Sequence, residues 1–409
     1  MISINLNIVD TLILSTLLFL IGTVIKDRIS IFNRICIPSP VIGGVLFCLI
    51  NSLLRSANLL IIYPDTSLMP YFMSLFFTII GIGINLHLIK KGGCLLFKYW
   101  LLCGILAYCQ SILAVILAKF LNIHPLLGLM CGTISMEGGH GFAAAFGSTI
   151  ENLGVNNALS VGVAAATFGL LLGSLLGGPT ARYLIEKYNL KPVHIKGNNL
   201  KDKSGYSKKN NNSHINKSSY SLTTYTFFEQ ALVLLLCLNL GELMTNLLFN
   251  TTKIILPTVV GCMFFAVIFR SINDKFRFVV LNFKLLDFLG ELSLGIFLTM
   301  ALMSIDLFKL SDLFGPILII VISQVAFLIF FAVFVCFKAL GKNFDAAVII
   351  SGLIGHGLGA TPNAIANMTS VSDRYGYSEK AFLVVPLVGA FLLDAFTIPC
   401  IIFFINILS

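Results

Sequence analysis

Two stretches of this chain set polar chemistry inside apolar surroundings. The first, Cys131 to Gly147, reads C-G-T-I-S-M-E-G-G-H-G-F-A-A-A-F-G and holds Thr133, Ser135, Glu137 and His140 among glycines. The second, Ser351 to Asn367, reads S-G-L-I-G-H-G-L-G-A-T-P-N-A-I-A-N and holds His356, Thr361 and Asn363. Each contains Gly-His-Gly, at Gly139–Gly141 and Gly355–Gly357, 216 residues apart. In hydrocarbon an unpaired backbone amide costs on the order of several kcal/mol, so irregular backbone persists only inside protein or beside water. Glycine-broken segments at matching places in two halves of a chain point to a transport site at their interface.

Glycine permits positive φ and close backbone approach. A helix broken at mid-membrane exposes its ends, whose N-terminal amides attract an anion and whose C-terminal carbonyls attract Na⁺. Gly138, Gly139, Gly141, Gly357, Gly359 and Ala360 would act through their backbone, with Thr133, Ser135, Thr361 and Asn363 adding side-chain oxygens. Close helix packing is the plainer role for the glycines, but it leaves the adjacent His, Glu, Thr-Pro and Asn without a reason. His140 and His356 read either as braces for these stretches or as ligand contacts. Asp394, in G-A-F-L-L-D-A-F, is a carboxylate deep in the last apolar run. There it must be paired or face water, and it suits an ammonium group, a sodium ion or a structural ion pair. Glu137 suits a bound cation, a titrating role or a place at the entrance. Beside an anionic substrate it is expected neutral, cation-paired or displaced. Asn85 and Asp306 read as helix caps.

These residues need a membrane scaffold. The chain has 409 residues, 57% hydrophobic and 11% charged, where a soluble domain has about 25% charged. The net charge of +9 does not mark a nucleic-acid surface. Lys187, Lys191, Lys196, Lys201, Lys203, Lys208, Lys209 and Lys217 gather in one central loop, and most other basic residues flank apolar runs. That is the pattern of topology charge. The cysteines are scattered without CxxC or Cys/His metal spacing, so neither disulfides nor a metal centre is assigned. Enzyme motifs (HExxH, GxSxG, a phosphate-binding loop) are absent, and no enzyme is expected.

Runs long enough to span fall at about 9–25, 38–54, 68–89, 95–118 and 158–181, then 227–248, 257–270, 285–307, 314–338 and 380–405. The fold class is therefore an all-α membrane protein with ten transmembrane helices. The two glycine-rich stretches read as re-entrant hairpins, at about 125–150 and 343–370. Basic residues place both termini outside and the central loop in the cytoplasm. Pro40-V-I-G-Gly44 matches Pro257-T-V-V-Gly261, and F-F-T-I-I-G-I-G-I-N-L at 76–86 matches F-L-T-M-A-L-M-S-I-D-L at 297–307. These matches, in order with Gly-His-Gly, give a first repeat over 1–185 and a second over 223–409, joined by a polar linker, 186–222. Each repeat has an odd number of spans, so the second is inverted.

At Pro38-S-P-V-I-G-Gly44, Ser135-M-E-G-G-H-Gly141, Ala166-T-F-G-L-L-L-G-S-L-L-G-G-Pro179, Gly341-K-N-F-D-A-Ala347, Gly357-L-G-A-T-P-N-A-I-A-N-Met368 and Val385-P-L-V-G-A-F-L-L-Asp394 the sequence resembles the sodium/glutamate symporter family of bacterial inner membranes. The resemblance implies Na⁺-driven uptake of L-glutamate, with Na⁺ as coupling ion and no other cofactor, by a homodimer with an elevator-type moving domain. It implies a substrate set of Ser135, Gly138, Gly139, His140, Gly141, Gly357, Gly359, Ala360, Thr361, Asn363 and Asp394. The sodium or coupling set is Thr133, Glu137, Thr167, His356, Asn367 and Asp394. The sequence departs from the family at Glu137, where a small hydroxyl residue is usual, at Phe142-Ala143, and at His356, where Phe occurs. Other anions (aspartate, a di- or tricarboxylate) and Na⁺/H⁺ antiport through Glu137 and Asp394 stay open as alternatives.

Overall fold

The computed structural model describes residues 2–30, 32, 37–83, 93–192, 223–252, 255–305 and 313–409. Asn85, Asp306 and most of the linker, 193–222, lie outside the described residues. Helices α1 (Ile8–Arg28), α2 (Ser39–Ser56), α3 (Met69–Gly83) and α4 (Gly93–Phe120) come first. A kinked α5 (Pro125–Ile134) and α6 (Gly139–Asn152) then form a helical hairpin, followed by α7 (Ala158–Lys187). The second half has α8 (Thr224–Thr252), α9 (Thr258–Phe276), α10 (Phe283–Met303) and α11 (Phe314–Ala339). A second hairpin, α12 (Phe344–Gly357) and α13 (Thr361–Tyr375), precedes α14 (Glu379–Leu387), a wide turn at Val388–Leu392, and α15 (Asp394–Leu408).

Each predicted run is helical over its described part. Among the described residues α1, α2, α4, α7, α8, α10 and α11 are long and apolar enough to cross a membrane. The 257–270 run, short in sequence, continues past Arg270 to Phe276, with Pro257 as its N-cap. The last run is not one helix. Pro386 and Pro399 lack the N–H that a continuous helix uses, and the chain widens between them.

One element was not expected. Ile2–Asn5 (β1) pairs in parallel with Leu60–Tyr63 (β2), in register Ile2↔Leu60. The Asn51 side chain holds this strand by accepting from Ile62 N at 2.9 Å and donating to Ile62 O at 3.0 Å.

The helices pack as two groups. The first contains α1, α2, α3, α8, α9 and α10, and the second contains α4 to α7 and α11 to α15. The groups meet mainly where α10 touches α6 and α7. The first group has two close glycine crossings. Gly22 and Gly43 bring α1 and α2 to backbone contact, and Gly241 and Gly261 do the same for α8 and α9. Any side chain there would enter the neighbouring backbone, so small residues set the helix distance. Thr78 and Thr299, paired in the sequence match, are both buried and each bonds the carbonyl four residues back at 2.7 Å.

Candidate functional site

Two helix beginnings meet inside the second group. In the first hairpin, Gly132 breaks α5 with φ −90° and ψ −141°. Gly139 opens α6 with φ +60°, a left-handed conformation that glycine adopts without strain. The Gly359 carbonyl oxygen lies 2.8 Å from where a Gly139 side chain would begin. The two tips therefore touch, Gly138-Gly139 against Leu358-Gly359. The first turns of α6 and α13 receive no side-chain cap, from Gly138 or from Ala360. Side chains cap helices elsewhere: α1 by Asn7, α5 by His124, α10 by Asn282, α12 by Asn343 and α14 by Ser378. Two uncapped N-termini side by side bring positive dipole ends together where an anion would bind. At α13, however, Pro362 has no N–H, and the Gly359, Ala360 and Asn363 N–H groups bond His356 O, Gly355 O and Ala360 O.

Polar side chains surround the tips. The Thr133 hydroxyl donates to Glu137 Oε2 at 3.0 Å, while Glu137 Oε1 is buried without a partner. The Asp394 carboxyl is within electrostatic reach of Glu137. The side-chain ion pairs Arg182–Glu186, Arg270–Asp274 and Lys380–Asp345 lie elsewhere. The two carboxyls thus act on each other across this region. Placing both as anions in low dielectric is costly, so the pair suits a cation, an ammonium group or a proton.

The histidines differ in role. Thr167 uses its hydroxyl proton on Val163 O at 2.8 Å, which leaves His140 Nε2 as donor to Thr167 Oγ1 at 3.0 Å. This bond fastens α6 to α7. Thr167 also lines a cleft of about 530 Å³ between the two groups, whose other walls include Val45, Leu49, Leu302 and Phe314. His356 Nε2 shares a 2.5 Å hydrogen bond with Tyr99 Oη, and His356 Nδ1 is unpartnered.

Other expected residues are brought near the tips but spend their groups on the scaffold. Ser135 Oγ is buried against Met130 O and Gly162 O, at 2.5 and 2.8 Å. Asn367 donates to Gly173 O at 2.9 Å and Ser351 O at 3.3 Å, and so clamps α13 to α7 and α12. Asn363, one turn nearer the tip, donates to Leu170 O at 3.0 Å but keeps Oδ1 unpartnered. Thr361, Gly357 and Ala360 sit at the second tip, with Thr361 Oγ1 3.2 Å from where a Gly389 side chain would begin. Gly141 is roomier, with Phe77 at 3.7 Å from its would-be side chain.

Sequence reading missed four residues. Tyr99 holds His356, and Trp100 Nε1 donates to Leu392 O at 2.6 Å, bracing the wide turn just before Asp394. Gln110 Nε2 donates to Gly357 O at 3.1 Å, and Gln324 Nε2 donates to Gln110 O at 2.7 Å. A signal existed for the glutamines: an amide inside an apolar run, repeated 214 residues on.

A family profile described as Sodium/glutamate symporter matches residues 4–377. A sodium/glutamate symporter of Haemophilus influenzae is 35% identical over 394 residues, covering 94% of each chain. One of Escherichia coli is 36% identical over 391 residues, covering 95% of each chain, and one of Shigella flexneri matches equally.

Proposed function

Because this chain belongs to the sodium/glutamate symporter family and is an integral membrane protein, we propose that it carries L-glutamate into the cell together with Na⁺. The observation that carries this reading is the meeting of two uncapped helix beginnings at Gly139 and Gly359. Their amides suit the substrate's carboxylates, with Gly138, His140, Gly141, Gly357, Ala360, Thr361 and Asn363 around them and Ser135 holding the first tip in place. Asp394 takes the ammonium group or a sodium ion. Glu137, with Thr133, takes a cation, while Thr167, His356 and Asn367 fix the elements that carry the ion site. In this role the chain is a carrier rather than an enzyme, with Na⁺ as its coupling ion.

The same proposal covers architecture. Ten spans form two inverted repeats, 1–185 and 223–409, each with a re-entrant hairpin, joined by the cytoplasmic linker 186–222. The protein sits in the bacterial inner membrane with both termini outside, as a homodimer. The second helix group moves as an elevator against the first. What supports the moving group is the limited contact between the groups: α10 against α6 and α7, Phe77 against Phe142, and the Asn406 amide on Ile255.

Coupling requires that Na⁺ raise glutamate affinity and that glutamate raise Na⁺ affinity by the same factor. The test is uptake of labelled L-glutamate into proteoliposomes, with an inward Na⁺ gradient or with K⁺ replacing Na⁺. Accumulation only with Na⁺, accompanied by ²²Na⁺ entry, is expected. Equal uptake in K⁺ refutes symport.

A further inference from the structure

Gln110 on α4 and Gln324 on α11 are both fully buried in the second helix group. Both amides point their nitrogens at backbone carbonyls, Gln110 at Gly357 O and Gln324 at Gln110 O. Turning either amide over would set oxygen against oxygen, so the orientations are fixed. Both Oε1 atoms are then left buried without a hydrogen-bond donor. One such oxygen is a local cost. Two of them, 214 residues apart in a chain whose Gly-His-Gly motifs recur at 216, are a feature that the two halves share.

The surroundings are rich in oxygen. Gly357 is the last residue of α12, where carbonyls carry the negative end of the helix dipole. On the other side, Gly132 breaks α5 next to Gln110 O, 3.2 Å from where its side chain would begin. Neutral oxygens from amides and helix ends suit a small hard cation.

We propose that the amide oxygens of Gln110 and Gln324 bind a sodium ion, with ligands other than the carboxyls of Glu137 and Asp394. The identity of the ion rests on the sodium-coupled reading above. The site also has a route to the substrate. The Gln110 bond to Gly357 O ties it to the second tip, so an ion that orders Gln110 also orders the residues that begin α13.

Gln110→Met and Gln324→Met keep side-chain length and remove both the oxygen and the Nε2 donor. Gln110→Glu and Gln324→Glu lose the donor but keep an oxygen, so a weakened Na⁺ response in the Met variants alone reports the oxygen. Two Na⁺ titrations read them: glutamate uptake into proteoliposomes, and thermal unfolding of purified protein without glutamate, with choline chloride holding ionic strength. The unsubstituted protein is expected to gain stability saturably with Na⁺. Each Met variant is expected to need about fivefold more Na⁺, or above, in both titrations. Its half-saturating glutamate concentration at saturating Na⁺ should stay within about twofold. Folded Met variants with unchanged Na⁺ titrations overturn the site. Should neither Met variant fold, Tl⁺ in crystals of the unsubstituted protein decides: an anomalous peak beside both amide oxygens supports the site, and Tl⁺ bound only elsewhere overturns it. Na⁺-independent uptake by the unsubstituted protein would sink the symport reading instead, while the unfolding titration and Tl⁺ still judge the site.

Discussion

At the residue scale, the two glycines of one Gly-His-Gly motif have different tolerances. Gly139 combines φ +60° with the Gly359 carbonyl 2.8 Å from its would-be side chain. A left-handed alanine costs about 1–2 kcal/mol before any clash, and relief of that clash separates the tips. Gly139→Ala is expected to lower Na⁺-dependent uptake at least about tenfold, since about 1.4 kcal/mol is a factor of ten. Gly141→Ala meets only ordinary contact with Phe77 at 3.7 Å and should stay within about twofold. Uptake per protein in the membrane measures both, and equal losses would remove the tip contact from the mechanism. The carboxyls give a second test. Asp394→Asn should cut uptake severely with ordinary membrane abundance. Because Glu137 and Asp394 feel each other, the losses of Glu137→Gln and Asp394→Asn should not add. A double-mutant cycle should show coupling of roughly 0.5–3 kcal/mol, and additive losses would mean that the two act apart.

At the scale of elements, the wide turn at Val388–Leu392 sets where Asp394 begins α15. Leu393 N reaches back to Val388 O at 3.0 Å, and Phe396 N bonds Leu393 O at 2.9 Å instead of Leu392 O, which accepts from the Trp100 indole. The indole also packs on Phe396, with ring centroids 4.8 Å apart. Trp100→Phe retains most of the apolar contact and removes the donor, a loss of about 0.5–1.5 kcal/mol. Thermal unfolding should begin a few degrees lower, with weaker uptake because Asp394 loses its fixed base. Normal uptake with lowered stability would make the bond purely structural. The asparagines of α13 show a similar division. Asn367 spends its amide on α7 and α12, whereas Asn363 keeps an oxygen free next to the tip.

For the whole molecule, the question is whether the two helix groups move against each other. Phe77 of α3 and Phe142 of α6 pack across the boundary, with ring centroids 5.6 Å apart. Phe76 of α3 and Phe297 of α10 pack within one group at the same 5.6 Å. With exposed Cys94 and half-buried Cys109 replaced by Ser, a short bis-thiol linker between Phe77→Cys and Phe142→Cys should stop uptake. The linker between Phe76→Cys and Phe297→Cys should leave uptake near its starting value. Transport that survives the first cross-link would exclude an elevator motion at that boundary.

The sequence by itself determined the membrane class, the helical runs and the two polar interruptions, because hydropathy and glycine spacing are local properties. It did not reveal the β1–β2 pair, whose partners lie far apart in the chain and fall outside the apolar runs, before 9–25 and between 38–54 and 68–89. Only tertiary structure decided which hydroxyls and amides remain free. Ser135 and Asn363 look equally suited to a ligand as letters, but the Ser135 hydroxyl is consumed by Met130 and Gly162 while Asn363 keeps an oxygen. Likewise Gln110 and Gln324 became candidates only when folding fixed both nitrogens on carbonyls and left both oxygens without donors. Whether a polar group is spent depends on backbone brought from elsewhere in the chain, and no residue type or spacing encodes that.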